Sequence, residues 1–393
     1  MVEGTDRLLS VGQGEFTLDR FPRLARQTLR AWDAADEYVL QHLAELDLGG
    51  GSVLVVNDGF GALTVALAGA LAGAGKSSAQ WIVQMQSDSW LAHTGARANL
   101  EANGIDGEGV SLLDSLQQPA PFDVLLFKVP RSLALLEDQL HRLRPHLTAD
   151  TVIVGAGMVK QIHTSTLDLC ERLIGPTRTS LARRKARLIH GTLDTALDVP
   201  ANSYPTRYCL DGTKLELSNH AALFSRQQLD VGTRFLLEHL PRSPQARCIV
   251  DLGCGNGVLG IVAGRHHREA ALVFTDESAM AIASTRENVA AAFGDERDIT
   301  FHWADGFGGV EADSVDLILC NPPFHQQQAM GDAASWRMFQ QARKALQPGG
   351  SLWVVGNRHL GYHTKLRRLF GNGEIIASNP KFVILKATKR DRI

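Results

Sequence analysis

Asp316-Leu317-Ile318-Leu319-Cys320-Asn321-Pro322-Pro323-Phe324 is the stretch on which the reading of the chain turns. Leu317 to Cys320 is a short apolar run suited to a strand buried on both faces, and the Asn-Pro-Pro that follows stops it at once. Chemistry is therefore expected at the carboxyl end of a strand. Two successive prolines remove two N–H donors and hold φ near about −65°, so the local carbonyls can face a cleft with no donor competing beside them. Such a cleft accepts hydrogen bonds. A planar amino group fits it, with its hydrogens on the Asn321 side-chain oxygen and the Pro322 carbonyl and with the Phe324 ring stacked on the attached base. Asn-Pro marks ordinary turns as well, so the residues upstream decide between the two.

Upstream, Cys248-Ile249-Val250 leads into Asp251-Leu252-Gly253-Cys254-Gly255-Asn256-Gly257 and an apolar helix to about Arg265. Alternate glycines between a strand and a helix let a ligand approach the backbone where a side chain would clash. Leu272 to Thr275 reads as the next strand and ends at Asp276, where a carboxylate can accept both hydroxyls of a ribose. Ile299 to Trp303 is a third, followed by Asp305, and Asp316 to Cys320 is the fourth. Four strand ends in order carry a glycine loop, an acid, an acid and Asn-Pro-Pro-Phe, which together are far more specific than any one of them.

That order resembles the S-adenosylmethionine-dependent methyltransferases of the Rossmann-like class that act on exocyclic amino groups. The resemblance implies S-adenosyl-L-methionine as cofactor. It places Asp251, Gly253, Gly255, Asn256 and Gly257 along the methionine end, Asp276 at the ribose and Asp305 at the adenine, with Asn321 bordering the cofactor. Phe224-Ser225-Arg226, with Leu229-Asp230-Val231-Gly232 after it, looks like the segment these enzymes close over the cofactor; the plain alternative is a helix start with Ser225 as its cap.

Asn321-Pro322-Pro323-Phe324-His325, with Gln326-Gln327, Asn357-Arg358-His359-Leu360 and Lys381-Phe382-Val383, narrows the resemblance to the bacterial ribosomal RNA guanine-N2 methyltransferases. It implies a guanine N2 of 23S rRNA as substrate, Asn321, Pro322, Pro323 and Phe324 as the catalytic group, and His325 and Arg358 against RNA. The 16S rRNA guanine-N2 enzymes share this layout and stay open as an alternative. So do DNA-adenine and protein-glutamine methyltransferases, which also carry Asn-Pro-Pro-aromatic, and a non-catalytic RNA-binding assembly factor.

The first half repeats the pattern. Ser52 to Val56, Trp81 to Met85, Phe122 to Phe127 and Thr151 to Val154 read as strands, alternating with helices at an Ala/Leu-rich stretch ending near Gly73, at 92–101 and at 133–142; such alternation predicts a parallel sheet. A helix is also expected from about Arg23 to Leu46. Val55 to Ala68 lines up with Asp251 to Gly264, so Gly59 and Gly61 fall on Gly255 and Gly257, but Val55 falls on Asp251 and Asn57 on Gly253. Ser87 stands for Asp276, Lys128 for Asn321 and Arg131 for Phe324. Lysine has only donors and cannot accept from an amino group. The expected architecture is thus α/β, two tandem Rossmann-like methyltransferase domains: residues 1–190 a degenerate duplicate serving as RNA-binding platform, 191–220 a linker and β-hairpin, and 221–393 the catalytic domain.

Size agrees with two cores, since 393 residues with 44% hydrophobic and 21% charged exceed one ordinary domain. The formal net charge of −2 hides its distribution. From Arg172 to His190 the basic residues, Arg183, Arg184 and Lys185 among them, meet no acid, and the stretch from Arg358 to the end is again basic; both are expected RNA contacts, with solvated surface as the plain alternative. Five cysteines without metal-ligand spacing predict a reducing compartment and no structural metal. No apolar stretch approaches the roughly 20 residues a membrane span needs. A cytoplasmic monomer is expected.

Overall fold

Each half of the chain builds a seven-stranded sheet with the same strand order. The computed structural model describes residues 6–23, 28–46, 48, 50–70, 81–241, 246–294, 297–323 and 328–390, with the backbone alone for 328–332. Two units divide the chain, Met1–Ser203 and Tyr204–Ile393.

The first unit starts with a hairpin, β1 (Leu8–Val11) and β2 (Gly14–Thr17), followed by α1 (Ala34–Glu45). The expected helix from Arg23 does not form over its described first part. Residues 24–27 lie outside the described residues, and the helix begins where Asp33 accepts from the Ala35 and Asp36 amides while Asp36 reaches back to the Asp33 amide. This capping box sets the start more strongly than the apolar spacing before it. Next come β3 (Gly51–Val56), α2 (Ala62–Gly69), β4 (Trp81–Gln86), α3 (Trp90–Ala102), β5 (Val110–Leu113), β6 (Val124–Lys128), α4 (Leu133–Leu143), β7 (Val152–Met158), α5 (Thr164–Leu173), β8 (Thr177–Thr179) and β9 (Ala186–Gly191). The basic stretch 172–190 is therefore mostly strand and turn.

The second unit starts with its own hairpin, β10 (Thr206–Cys209) and β11 (Glu216–Asn219), then α6 (Val231–Leu237), β12 (Cys248–Leu252), α7 (Val258–His266), β13 (Ala271–Asp276), α8 (Ala279–Phe293), β14 (Ile299–Trp303), β15 (Val315–Cys320), α9 (Gln328–Ala345), β16 (Leu346–Asn357), α10 (Tyr362–Phe370), β17 (Glu374–Ser378) and β18 (Phe382–Thr388). The hairpin falls on the second unit's side of the division at Ser203 and Tyr204. Asp230, not Ser225, caps α6, accepting from the Thr233 amide.

The sheets run β5-β4-β3-β6-β7-β9-β8 and β14-β13-β12-β15-β16-β18-β17. In each the first five strands pair in parallel, and the last two pairings are antiparallel because the sixth strand, β9 or β18, runs against its neighbours. Central strands are covered on both faces: Val53 to Val56 and Leu125 to Phe127 in one unit, Ile249 to Leu252 and Leu317 to Cys320 in the other, are almost inaccessible. Apolar clusters lie on either face of each sheet, so burial on both sides holds strands that carry no polar alternation.

The likeness extends to single hydrogen bonds. Asn99 exchanges bonds with the Asp19 backbone and donates to the Phe60 carbonyl at 2.8 Å. Asn288 exchanges bonds with the Ser218 backbone and donates to the Asn256 carbonyl at 2.9 Å. Each asparagine thus fastens its unit's leading hairpin to the loop after the first sheet strand.

Candidate active site

Strand order reverses between β12 and β15, and a crevice opens outside the carboxyl ends of strands at such a switch point. Asp251 lies one residue before the end of β12. Its Oδ2 accepts from the Gly260 amide at 2.8 Å, at the start of α7, while its Oδ1 is buried with no partner among the described residues. Burial pushes the Asp251 carboxyl up to about 8, with the Asp276 charge adding to the effect. Then Gly253, Gly255 and Gly257 all take positive φ, 70°, 58° and 79°. Reasons differ along the loop. A Cβ on Gly257 would stand 2.7 Å from Thr285 Cγ2, so this glycine lets the loop pack on α8; a Cβ on Gly255 would meet nothing within 4 Å, so there the backbone conformation alone asks for glycine and leaves room beside it.

Asp276 ends β13 with its carboxylate fixed by two amides, Gly255 and Ser278, at 2.9 Å each. It is thereby tied to the glycine loop, and burial raises its pKa. Asp305, expected at the adenine, follows β14 and lies 3.2 Å from the Arg337 guanidinium. Asn256 is turned toward its hairpin, donating to Asn219 at 2.9 Å and the Tyr208 hydroxyl at 3.1 Å, which gives it a part in holding the loop. Phe224 is 65% exposed.

At the end of β15, Asn321 donates through Nδ2 to Asp230 Oδ2 at 3.0 Å and to Thr233 Oγ1 at 2.8 Å. Asp230 Oδ2 also accepts from the Thr233 amide at 2.9 Å, and a carboxylate oxygen accepts, so the NH₂ end of Asn321 faces it. Both amide hydrogens are then used, and Oδ1 is left buried with no partner among the described residues. An acceptor is thus held in place, and its own hydrogen bond is missing. Pro322 is buried and Pro323 exposed. Phe324 and His325, with Gln326 and Gln327, lie outside the described residues. Arg358, at the end of the neighbouring β16, is exposed, and its amide donates to the Lys381 carbonyl at 3.1 Å.

The sequence reading missed Asp230 and Thr233 as supports for Asn321, although an Asp-x-x-Thr at a helix start was there to see. They stand 91 and 88 residues from Asn321.

The first unit fills the same place. Lys128, where the second has Asn321, donates to Asp33 at 2.9 Å and Asp36 at 2.5 Å, and these two stand on α1 as Asp230 and Thr233 stand on α6. Burial alone would lower the Lys128 pKa, but Asp36 and Asp33 outweigh it and raise the value. Asn57, for Gly253, keeps the left-handed backbone at φ 65° but carries a side chain across the switch point, bonded to the Lys128 carbonyl and reciprocally to Gln139. Asp58 is consumed by the amides of Gly61 and Thr64 and the Thr64 hydroxyl. No unpaired acceptor of the Asn321 kind remains there among the described residues.

Among the described residues no group of histidine, cysteine and acidic side chains could hold a metal ion, and no helix is long and apolar enough to cross a membrane. The basic residues are partly paired in space: Arg172 meets Glu137 and Arg184 meets Glu37, both at 2.7 Å.

Residues 6–195 match the family model described as RLMG N-terminal domain, and residues 214–386 that of the methyltransferase small domain. The chain is similar to a protein of Streptomyces avermitilis named ribosomal RNA large subunit methyltransferase G, with 52% identity over 96% of this chain and 98% of the relative. A protein of the same name from Ectopseudomonas mendocina is 51% identical over 94% of this chain and 96% of its own. Among solved structures, the T. thermophilus 16S rRNA N2 G1207 methyltransferase, in complex with AdoMet and guanosine, superposes with a TM-score of 0.73 at 20% identity, covering 98% of this chain and 97% of its own. That likeness is one of fold, the class I methyltransferase fold.

Proposed function

This chain belongs to the ribosomal RNA large subunit methyltransferase G family and is an S-adenosylmethionine-dependent rRNA methyltransferase; from that premise we propose that it methylates the exocyclic N2 of one guanine in 23S rRNA. A single observation carries this reading: Asn321 has both amide hydrogens committed to Asp230 and Thr233, so its unpaired Oδ1 is a fixed acceptor at a strand end.

The residues fit the cofactor. The unpartnered Asp251 Oδ1 and the open side of Gly255 suit the methionine end, and the Asp276 carboxylate, with an amide on each oxygen, keeps lone pairs for two ribose hydroxyls. Asp305 serves the adenine amino group through the oxygen that does not meet Arg337. When bound, S-adenosylmethionine supplies an electrophilic methyl group on a sulfonium. The chain's own part is positioning. Asn321 Oδ1 and the Pro322 carbonyl accept the two N2 hydrogens, which aims the nitrogen lone pair away from the purine plane and steadies positive charge as the N–C bond forms. The extra proton then leaves N2 for water. Guanine must be flipped out of its stack, at a few kcal/mol, and the Phe324 ring is the proposed stacking surface, returning about 1–3 kcal/mol. Pro323 completes the turn.

RNA contacts are proposed at His325, Arg358, Arg183, Arg184 and Lys185, with the first unit as platform, and the enzyme is proposed to act as a cytoplasmic monomer. The test is transfer of labelled methyl groups to protein-free 23S and 16S rRNA from cells lacking the enzyme, with the product nucleoside identified by mass spectrometry. N2-methylguanosine in 23S alone is expected. Label in 16S alone would move the substrate to the small subunit, and label in neither RNA nor large-subunit particles would sink the reading.

A further inference from the structure

The first unit carries a feature that its likeness to the second does not explain. Between β8 and β9 the chain continues into an exposed tip. Arg183 and Ala186 close it, each donating to the other's carbonyl at 2.9 and 2.8 Å, so Arg184 and Lys185 are the two central residues of a two-residue turn. Both have positive φ, 47° and 64°. Asn-Gly ordinarily occupies such a turn, because a Cβ in the left-handed region crowds the next carbonyl. Two long cations held there against backbone preference, at an exposed site, indicate that their charge is used.

Beside the tip lies a groove of about 440 Å³ lined by residues that include Ser10, Gly12, Tyr38, Gln41, Arg183 and Arg184. The Arg183 guanidinium sits over the Tyr38 ring, 5.0 Å from its centroid, and the Tyr38 hydroxyl donates to the Leu181 carbonyl at 3.3 Å, tying the tip to α1. Leu181 itself is 87% exposed. Arg184 meets Glu37 at 2.7 Å, Arg30 approaches the same carboxylate at 3.6 Å, and Arg30 also meets Asp6 at 2.8 Å. Arg30, Arg183, Arg184 and Lys185 thus gather around the tip with Glu37 and Asp6, while Ser10 of the groove wall donates to Glu15 at 3.2 Å. Arg183 and Lys185 have no carboxylate partner among the described residues.

We propose that this tip and groove bind a single-stranded RNA segment, with Arg184 and Lys185 on successive phosphates, the outer face of the Arg183 guanidinium taking a base, and Leu181 packing on a sugar. A guanidinium stacked on an aromatic ring is already immobilised and keeps its N–H edge and second face for a nucleotide, and the groove has room for one. The inference rests on the reading that the substrate is rRNA, and deepens it by naming where the first unit takes hold.

Glycine at the two turn positions separates affinity from folding. In the full-length R184G/K185G variant the turn loses its crowding, so the protein should melt at or above the wild-type temperature. Its Kd for a labelled, protein-free 23S rRNA fragment should rise about tenfold, and the dependence of log affinity on log salt should become shallower by roughly 1.4, the share of two phosphates on a single strand. KM for RNA should rise in step and the cofactor titration should not move. Wild-type affinity and salt slope in a variant that melts normally would overturn the contact. Wild-type enzyme that neither binds nor methylates RNA would overturn the rRNA reading, and this contact with it.

Discussion

Lys128 and Asn321 end the same strand in two units of one fold, and each donates to a pair of residues at the first turn of the same helix, Asp33 with Asp36 or Asp230 with Thr233. The polar scaffold under the strand end is common to both; what differs is what it leaves over. Lysine spends a positive charge on two carboxylates and offers no acceptor. Asparagine spends two hydrogens and keeps an oxygen. The glycine loops differ in the same way, since Asn57 shares the left-handed backbone of Gly253 but bridges to Gln139, where Gly253 has no side chain. In the first unit the switch point is thus occupied from within by Asn57, Gln139 and Lys128, while the strand order is that of the second.

The largest effect should come from removing the surplus oxygen. Asn321→Ala is expected to cut methyl transfer by about 10²–10³-fold, the scale for losing one fixed hydrogen-bonding group at a reacting centre, with cofactor binding retained in a calorimetric titration. Turnover at the wild-type rate would break the comparison at its centre.

Next in size is the matching change in the first unit. Lys128→Met strands the buried Asp36 and should destabilise that unit by about 3–5 kcal/mol in denaturant unfolding. K128N/D36T, which copies the Asn321 and Thr233 pair, should recover much of the loss; no recovery would mean that the two scaffolds are alike only in outline.

Asp251 has no carboxylate counterpart at Val55, and its burial carries a pH signature. An acid whose folded value is raised, here to about 8, binds protons more tightly folded than unfolded, so its contribution to stability is whole at low pH and is lost as pH rises from about 4 toward 8. Thermal melting of cofactor-free protein should fall over that window through this group, and Asp251→Asn should flatten the fall by about 1–3 kcal/mol. A wild-type profile as flat as that of the variant would show the carboxyl to be solvated.

Thr233 gives the smallest effect. Thr233→Val keeps the volume but removes one acceptor from the Asn321 amide, so kcat should drop about tenfold with little change in KM for the cofactor, and Thr233→Ser should restore it. Equal activity in both variants would leave Asp230 as the whole support.

Much of this was legible in the chain itself. Strand ends followed by glycines, acids or Asn-Pro-Pro are local signals, and Leu317 to Cys320 or Ile299 to Trp303 needed no partner to be recognised. The β1–β2 hairpin was passed over although Gly12-Gln13 sits between paired Val11 and Gly14, because two four-residue strands carry little apolar pattern. Arg337 beside Asp305 and the Asp230 and Thr233 support could not be read locally, since both depend on helices returning to the strand ends from far along the sequence. Repetition offered a route to the second: Asp33-x-x-Asp36 and Asp230-x-x-Thr233 stand at matching helix starts.

One calorimetric titration of S-adenosylmethionine into the full chain and two variants addresses the contrast between the units most directly. One molecule should bind per wild-type chain, Asn57→Ala in the first unit should leave that unchanged, and Asp276→Ala in the second should abolish it. Two molecules per wild-type chain, or one still bound at wild-type affinity after Asp276→Ala, would contradict the account.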